Sequence, residues 1–366
     1  MQIDGNFESG NIVVHNITAA EAKLSIRHDS NARYYQWFYF KATAAPGQIH
    51  TFRLTNASDA SYPHAWPGYR ALASYNRQDW FRVNTQYNEN QLIIKHRPRL
   101  ETTWYAFFVP YTEAMRGQLL ADCAAVAQVE TLLTTEQEKT VDLVRFGPPD
   151  AGRKVWIVAR QHAGEPMAEY AIDGLMRRLL DNEDVVVKAL YEAGIAFYCV
   201  PNVNPDGSAL GNLRANAAGI DLNRDWKQTL EPRSIEVAAL LKRMHAEGVD
   251  FFLDLHGDEN RPYLWLVQPH PDVLAPAMAE TQQRIESFFR EQYIEYGSLT
   301  EDPDALEADS GMAVDYVAWT FKCPSFIIEL PFKDTFGPDG EPDSLLAEGC
   351  IRLGRSCLDL IQTIMI

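Results

Sequence analysis

The chain has 366 residues and a net charge of −17, long for one domain and comfortable for two. The charge is uneven: residues 1–115 hold 11 Lys+Arg against 9 Asp+Glu, while the remainder holds 22 against 41 and stands at −19. That balance argues against a nucleic-acid partner, which needs a basic face, and no apolar run approaches the roughly 20 residues of a spanning helix, so no membrane partner is expected. Residues 1 to about 115 read as β structure. The runs "IVVHNI", "RYYQWFYFKAT", "HTFRLTN", "QLIIKHR" and "TWYAFFVPY" are short and rich in aromatic and β-branched residues, with Gly, Pro, Asn and Asp between them. They predict an antiparallel β-sandwich over 1–115.

After "YTEAMRGQLL" the pattern changes. "KVWIVA", "IAFYCVPNV", "VDFFLDLH" and "PSFIIEL" are compact apolar strands. Between them lie the helical patterns "MAEYAIDGLMRRLL", "SIEVAALLKRMHAEG", "DVLAPAMAETQQRIESFFREQY" and "SGMAVDYVAWTF", with Ser234 placed to cap the second. Buried strands alternating with amphipathic helices predict an α/β domain over 116–366, with a mixed, largely parallel sheet. "LTEDPDALEADSG" reads as a surface loop. The five cysteines are scattered and without CxxC spacing, as in a reducing compartment. The opening "MQIDGNFESG" has neither a basic nor an apolar leader segment, so a cytoplasmic location is expected.

Ligand sites of open α/β sheets form beyond the carboxyl ends of the strands. His162 and Glu165 follow "VWIVAR", Asn204 to Gly207 follow "FYCVPNV", His256 closes "FFLDLH", and Glu329 sits near the end of "SFIIEL". A hydrolytic zinc site takes three His/Glu ligands and a water. His162 and Glu165 supply a close pair across one turn, and His256 supplies the third ligand from another strand. Zinc lowers the pKa of water toward 7, and Glu329 is placed to act as general base. In "NLRANAAGIDLNRDWK", Arg214 and Arg224 suit a grip on a carboxylate, with Asn223 for its second oxygen. The alternative is that these arginines are surface residues paired with Asp221 or Asp225. The histidines at 15, 28, 50, 64, 96 and 270 have no carboxylate at ligand spacing and read as structural, and His245, in a helix, reads as a surface residue.

Together these residues resemble the zinc metallocarboxypeptidase family. "HAGE", "PNVNPDG", "GNLR", "DLNRDW", "DLHGD" and "IIEL" occur in the family's order, with 91 residues from Glu165 to His256 and 73 more to Glu329. The front half is similar to the β-sandwich of the cytosolic carboxypeptidase branch. The resemblance implies one zinc ion per chain on His162, Glu165 and His256, with Glu329 as catalytic base. It implies that Arg214 polarises the scissile carbonyl and stabilises its oxyanion. Asn223 and Arg224 would bind the terminal carboxylate of a peptide or protein substrate, and Asp221 would orient the first zinc histidine.

Two departures stand out. The family's mobile tyrosine has no counterpart between 297 and 315, where Glu307 stands instead; Tyr316 and Tyr296 are the nearest candidates. The stretch expected to hold a basic specificity residue reads Met312, Ala313, Val314, leaving Arg261, Lys322 and Lys333 as distant candidates. A deacylase of N-acyl amino acids on the same scaffold and a non-catalytic zinc-containing binding protein are the rival readings. The sequence leaves the removed side chain, the natural substrate and the oligomeric state open.

Overall fold

The computed structural model describes residues 1–273, 278–292, 296–298, 310–336, 342–343 and 346–366. The front part holds two five-stranded sheets. One runs in the order β1 (Gln2–Asp4), β4 (Tyr39–Thr43), β10 (Thr102–Ala106), β6 (Leu72–Ser74), β7 (Trp80–Arg82). The other runs β2 (Val13–Ile17), β3 (Glu21–Ser25), β5 (His50–Leu54), β9 (Gln91–His96), β8 (Asn84–Asn88). Neighbouring strands are antiparallel except β3 and β5, which run parallel.

The aromatic residues that mark these strands in the sequence also build their shared core. Phe40 and Tyr105 come from the first sheet and Phe52 from the second; the ring of Phe52 lies 5.3 Å from Phe40 and 4.7 Å from Tyr105. Aromatic rings at such separations seal two sheets face to face.

The second part is built on an eight-stranded sheet. Its order is β11 (Gln128–Thr134), β12 (Thr140–Phe146), β14 (Ile195–Val200), β13 (Arg153–Ala159), β15 (Phe251–Asp258), β18 (Ser325–Pro331), β16 (Leu264–Val267), β17 (Tyr296–Ser298). The four central strands are parallel. They are apolar almost throughout, as strands covered on both faces must be. A small pair, β19 (Thr335–Phe336) and β20 (Pro342–Asp343), follows.

The four helices expected from periodicity form as α2 (Pro166–Leu179), α5 (Ile235–Glu247), α6 (Ala279–Gln292) and α7 (Ala313–Phe321). Ser234 is the N-cap residue of α5, but its hydroxyl donates to Asp225 Oδ2 at 2.7 Å instead of capping. Four more helices join them: α1 (Glu113–Cys123), α3 (Val185–Glu192), α4 (Pro205–Leu210) and the long α8 (Ala347–Met365). Residues 299–309 of the expected surface loop, Glu307 among them, lie outside the described residues. All five cysteines are buried free thiols. Among the described residues no helix is long and apolar enough to cross a membrane.

Candidate active site

The corner after β13 is made by Arg160, whose φ of 59° turns the chain in a conformation few L-residues adopt. Its buried side chain holds the turn: Nε donates to the Ala163 carbonyl at 3.1 Å, and Nη1 donates to Glu169 Oε2 at 2.5 Å. Pro166 then opens α2, so Glu165 is fixed at the helix entrance. Gly164 is required by a close approach. Its N–H donates to the Leu213 carbonyl at 2.6 Å, and a Cβ there would lie 2.8 Å from that oxygen. The loop carrying Arg214 is thereby held against the His162 corner.

His256 arrives near the end of β15, beside β13. The inner ring nitrogens converge: His162 Nδ1 is 2.8 Å from Glu165 Oε1, and His256 Nδ1 is 2.8 Å from Glu165 Oε2. The two Nδ1 atoms are 3.2 Å apart. One donor atom from each of the three residues can be chosen so that all lie within 4.8 Å of one another, and all three residues are buried.

Each outer nitrogen meets a carboxylate, His162 Nε2 at 3.1 Å from Asp221 Oδ1 and His256 Nε2 at 3.0 Å from Asp254 Oδ2. Those partners favour N–H on the outside and lone pairs on the inside. The centre is then lined by acceptors alone, which repel one another unless a cation or protons sit among them. These residues fit a divalent metal of zinc type. Without one, burial opposes a charge on His256, but Asp254 and Glu165 draw its pKa well above the ordinary imidazole value. Burial likewise opposes ionisation of Glu165, yet the two imidazoles hold its carboxyl down at about 2.

His162 and Glu165 line a cleft of about 390 Å³ together with Arg214, Asn223, Arg224 and Glu329. Glu329 pairs in register with His256 across β15 and β18. Its Oε2 is buried and has no hydrogen-bond partner among the described residues, and burial pushes its carboxyl up to about 8. Asn223 Oδ1 accepts from the Ala313 N–H at 2.9 Å, and its Nδ2 lies 3.3 Å from His256 Nε2. Arg224 Nη1 donates to the Asn223 carbonyl at 2.7 Å. Burial and the nearby Arg214 charge lower the pKa of Arg224.

Arg214 Nε donates to Asp221 Oδ2 at 2.6 Å. The pairing with Asp221 and a place in the cleft therefore coexist. Burial disfavours the Arg214 charge, but Tyr62, Asp221 and Glu165 raise its pKa above the ordinary value. Asp221 serves both sides, accepting from Arg214 on one oxygen and facing His162 on the other.

The sequence reading missed part of this site. Tyr62 and His64, from the loop between β5 and β6, line the cleft, although His64 read as structural. Tyr62 accepts from Arg214 Nη1 at 2.7 Å, and burial raises its phenol pKa. Nothing in the local sequence around Tyr62 signals this. Asp254 did carry a signal: it lies two residues before His256 in a strand, hence on the same face.

Of the basic candidates, Arg261 lines the cleft. Its guanidinium lies 3.8 Å over the Trp265 ring and donates to Asp258 Oδ2 at 2.6 Å. Lys322 lies instead by Trp319, and Lys333 is not among the lining residues. Trp265, Val267, Met312 and Ile327 make an apolar wall. Tyr316 does not reach the cleft, since its hydroxyl lies 3.1 Å from His245 Nε2 and its ring packs by Trp226. The side chain of Tyr296 lies outside the described residues.

The family described as zinc carboxypeptidase matches residues 112–341. The chain belongs to that family. The family described as the cytosolic carboxypeptidase N-terminal domain matches residues 3–108.

An uncharacterised protein of Zymomonas mobilis is 35% identical over 374 residues, covering 99% of this chain and 96% of that protein. Cytosolic carboxypeptidase 6 of Caenorhabditis elegans is 27% identical over 296 residues, covering 72% of this chain and 63% of the relative. The match thus takes in less than two thirds of that eukaryotic protein. Among solved structures, a metallo-carboxypeptidase from Pseudomonas aeruginosa in complex with (2-guanidinoethylmercapto)succinic acid superposes with a TM-score of 0.92 at 36% identity, covering 99% of this chain and 98% of that one. A metallo-carboxypeptidase from Burkholderia cenocepacia gives 0.92 at 34% identity, with the same coverage. This zinc carboxypeptidase relative therefore shares its whole architecture with them.

Proposed function

We propose that the chain is a metallocarboxypeptidase that hydrolyses the C-terminal peptide bond of peptides or proteins, with one zinc ion held by His162, Glu165 and His256. The observation that carries this reading is the convergence of three buried ligand side chains, with the far nitrogen of each histidine on a carboxylate. Zinc bound there supplies Lewis-acid polarisation and lowers the pKa of water. Arg224 and the amide of Asn223 dock the free carboxylate, which fixes the last peptide bond in the cleft. Arg214 faces the carbonyl oxygen and stabilises the negative charge that grows there. Glu329 takes a proton from the attacking water as the new C–O bond forms. It delivers that proton to the amide nitrogen as the C–N bond breaks.

The chain is also inferred to divide near residue 115, with a β-sandwich in front of the catalytic part. Mass spectrometry of a mixed peptide pool after incubation with the zinc-loaded protein tests the function. Loss of single C-terminal residues is expected, and no cleavage of N-acetyl amino acids supplied alongside. Cleavage of the acyl amides alone, or of nothing, overturns the reading.

A further inference from the structure

The loop that carries Arg214 is held from outside its own sheet. Asp29, buried in the front part of the chain, accepts three consecutive backbone N–H groups: Leu213 at 2.6 Å, Arg214 at 2.8 Å and Ala215 at 2.9 Å. Ser30 N–H donates to Asn212 Oδ1 at 3.0 Å, and Asn31 Nδ2 to the Ala217 carbonyl at 2.9 Å. The guanidinium is held from the same side. Tyr62 Oη accepts from Arg214 Nη1 at 2.7 Å, while Asp221 takes Nε.

Tyr62 is itself fixed. Gln36, fully buried, accepts from the Tyr62 N–H at 2.8 Å and donates to its carbonyl at 3.2 Å. A planar guanidinium with two of its corners held has no free rotation left. Its remaining edge is Nη2, which has no hydrogen-bond partner among the described residues, in a residue that lines the cleft. This is how a donor is preorganised where charge will develop, without reorganisation during reaction.

We propose that Tyr62 is a positioning residue for the hydrolysis: its hydroxyl, carried on the front β-sandwich, locks the Arg214 guanidinium in its working orientation. The proposal rests on the peptidase reading above and on Arg214 as oxyanion donor within it. It gives the front part of the chain a direct share in the reaction, with Asp29 setting the loop and Tyr62 setting the side chain. Tyr62 acts through Arg214, so its loss falls on the transition state and leaves carboxylate docking on Arg224 intact.

The test is Tyr62→Phe, which removes one oxygen and keeps the ring. It is assayed on zinc-loaded protein alongside Arg214→Ala and the double variant. Expected is a fall in kcat of about 10- to 100-fold, the size that misplacement of a reacting group costs, with KM within about twofold and zinc content and Tm unchanged. Affinity for a phosphonate peptide, which mimics the tetrahedral stage, falls by a similar factor. Affinity for (2-guanidinoethylmercapto)succinic acid stays the same. In the Arg214→Ala background the tyrosine change has no further effect on kcat, as two residues acting through one group require.

A Tyr62→Phe enzyme with wild-type kcat overturns the proposal. So does an equal loss in both backgrounds, which would mean that Tyr62 acts independently of Arg214. In either case the peptidase reading stands. A wild-type protein that cleaves no peptide overturns that reading and takes this one with it.

Discussion

His256 and Glu329 are register partners across the parallel pair β15–β18, and Glu329 is in turn the register partner of Trp265 across the antiparallel pair β18–β16. One row across three strands therefore carries a proposed metal ligand, the proposed base and a wall of the cleft. Partners on adjacent strands point to the same face. The sheet register thus sets the distance between ligand and base, and no loop has to be ordered to bring them together.

The substitution Glu329→Gln separates two consequences of that row. It removes the proton acceptor, so turnover is expected to fall by 10²- to 10⁴-fold or so, with the metal still bound. It also removes a carboxyl that burial has pushed up to about 8 from 4.5. The folded state of the metal-free protein holds that proton more tightly than the unfolded chain does. The stabilisation from this group is full below about pH 4.5 and is lost as pH rises through 8. Metal-free Glu329→Gln should therefore gain on the wild type as pH increases from 5 to 8, by up to roughly 3 kcal/mol. Thermal or urea unfolding across that range reads the difference; a difference that stays flat with pH sinks the claim.

Asp254→Asn tests the support of the metal centre. Asp254 fixes the outer nitrogen of His256 and, with Glu165, draws protonation onto the imidazole. A proton and a metal ion compete for the inner nitrogen, so wild-type metal affinity should rise with pH. Loss of the carboxylate is expected to weaken binding by about 10- to 100-fold and to move the steep part of the pH dependence lower. Chelator competition at several pH values measures both. An unchanged affinity would place Asp254 outside the site's function.

How much of this could be read in the sequence follows from where each residue sits. His162, Glu165, His256 and Glu329 lie at or near the ends of apolar strands, and such ends gather at one edge of a parallel sheet whatever the loops do. Asp254 was legible in principle from its two-residue offset in "DLH". Tyr62 and Asp29 were not. They reach the site from loops of the front part, between β3 and β4 and between β5 and β6, and no period or spacing records a contact between residues so far apart. The strands β10 and β13 were plain from composition, whereas β16, only four residues long, was too short to stand out. Helix α8 has no counterpart among the expected elements, although Cys350, Leu353, Cys357, Leu358 and Ile361 mark a buried stripe. "RYYQWFYFKAT" gave one strand, as expected, but only over its last five residues. Tyr35 and Trp37 are buried outside it through bonds to the Asn56 and Ser9 carbonyls.

Arg261 offers a test of what the cleft selects. Its guanidinium stacks on Trp265 beside the apolar wall of Val267, Met312 and Ile327. It also donates to Asp258 Oδ2 at 2.6 Å, and a guanidinium beside such a wall is the group in the cleft suited to an anionic side chain. Among peptides differing only in the last residue, Arg261→Ala should lower kcat/KM for Asp or Glu about tenfold, the worth of one charged hydrogen bond. Leu or Met should change little. If the two classes fall together, Arg261 serves the cleft's architecture and not its selectivity.

The last expectation concerns how Glu165 is held in place. Helix α2 starts directly after Glu165, so any shift of the helix moves that carboxylate. Its seating depends on α8. A Cβ at Gly354 would overlap the Ala171 carbonyl, and one at Gly174 would overlap the Ile351 carbonyl. The two backbones are in contact, and neither has a flexible side chain to yield. Gly354→Ala must therefore push the helices apart. Overpacking of this kind costs about 1–3 kcal/mol, and more where backbone opposes backbone. Gly117→Ala in α1 meets nothing within 4 Å and should instead stabilise by about 0.5–1 kcal/mol, through helix propensity alone. Metal affinity should fall with Gly354→Ala and stay constant with Gly117→Ala. Equal stability of the two variants would show that α2 is not positioned by this contact, and that the entrance turn at Arg160 suffices to place Glu165.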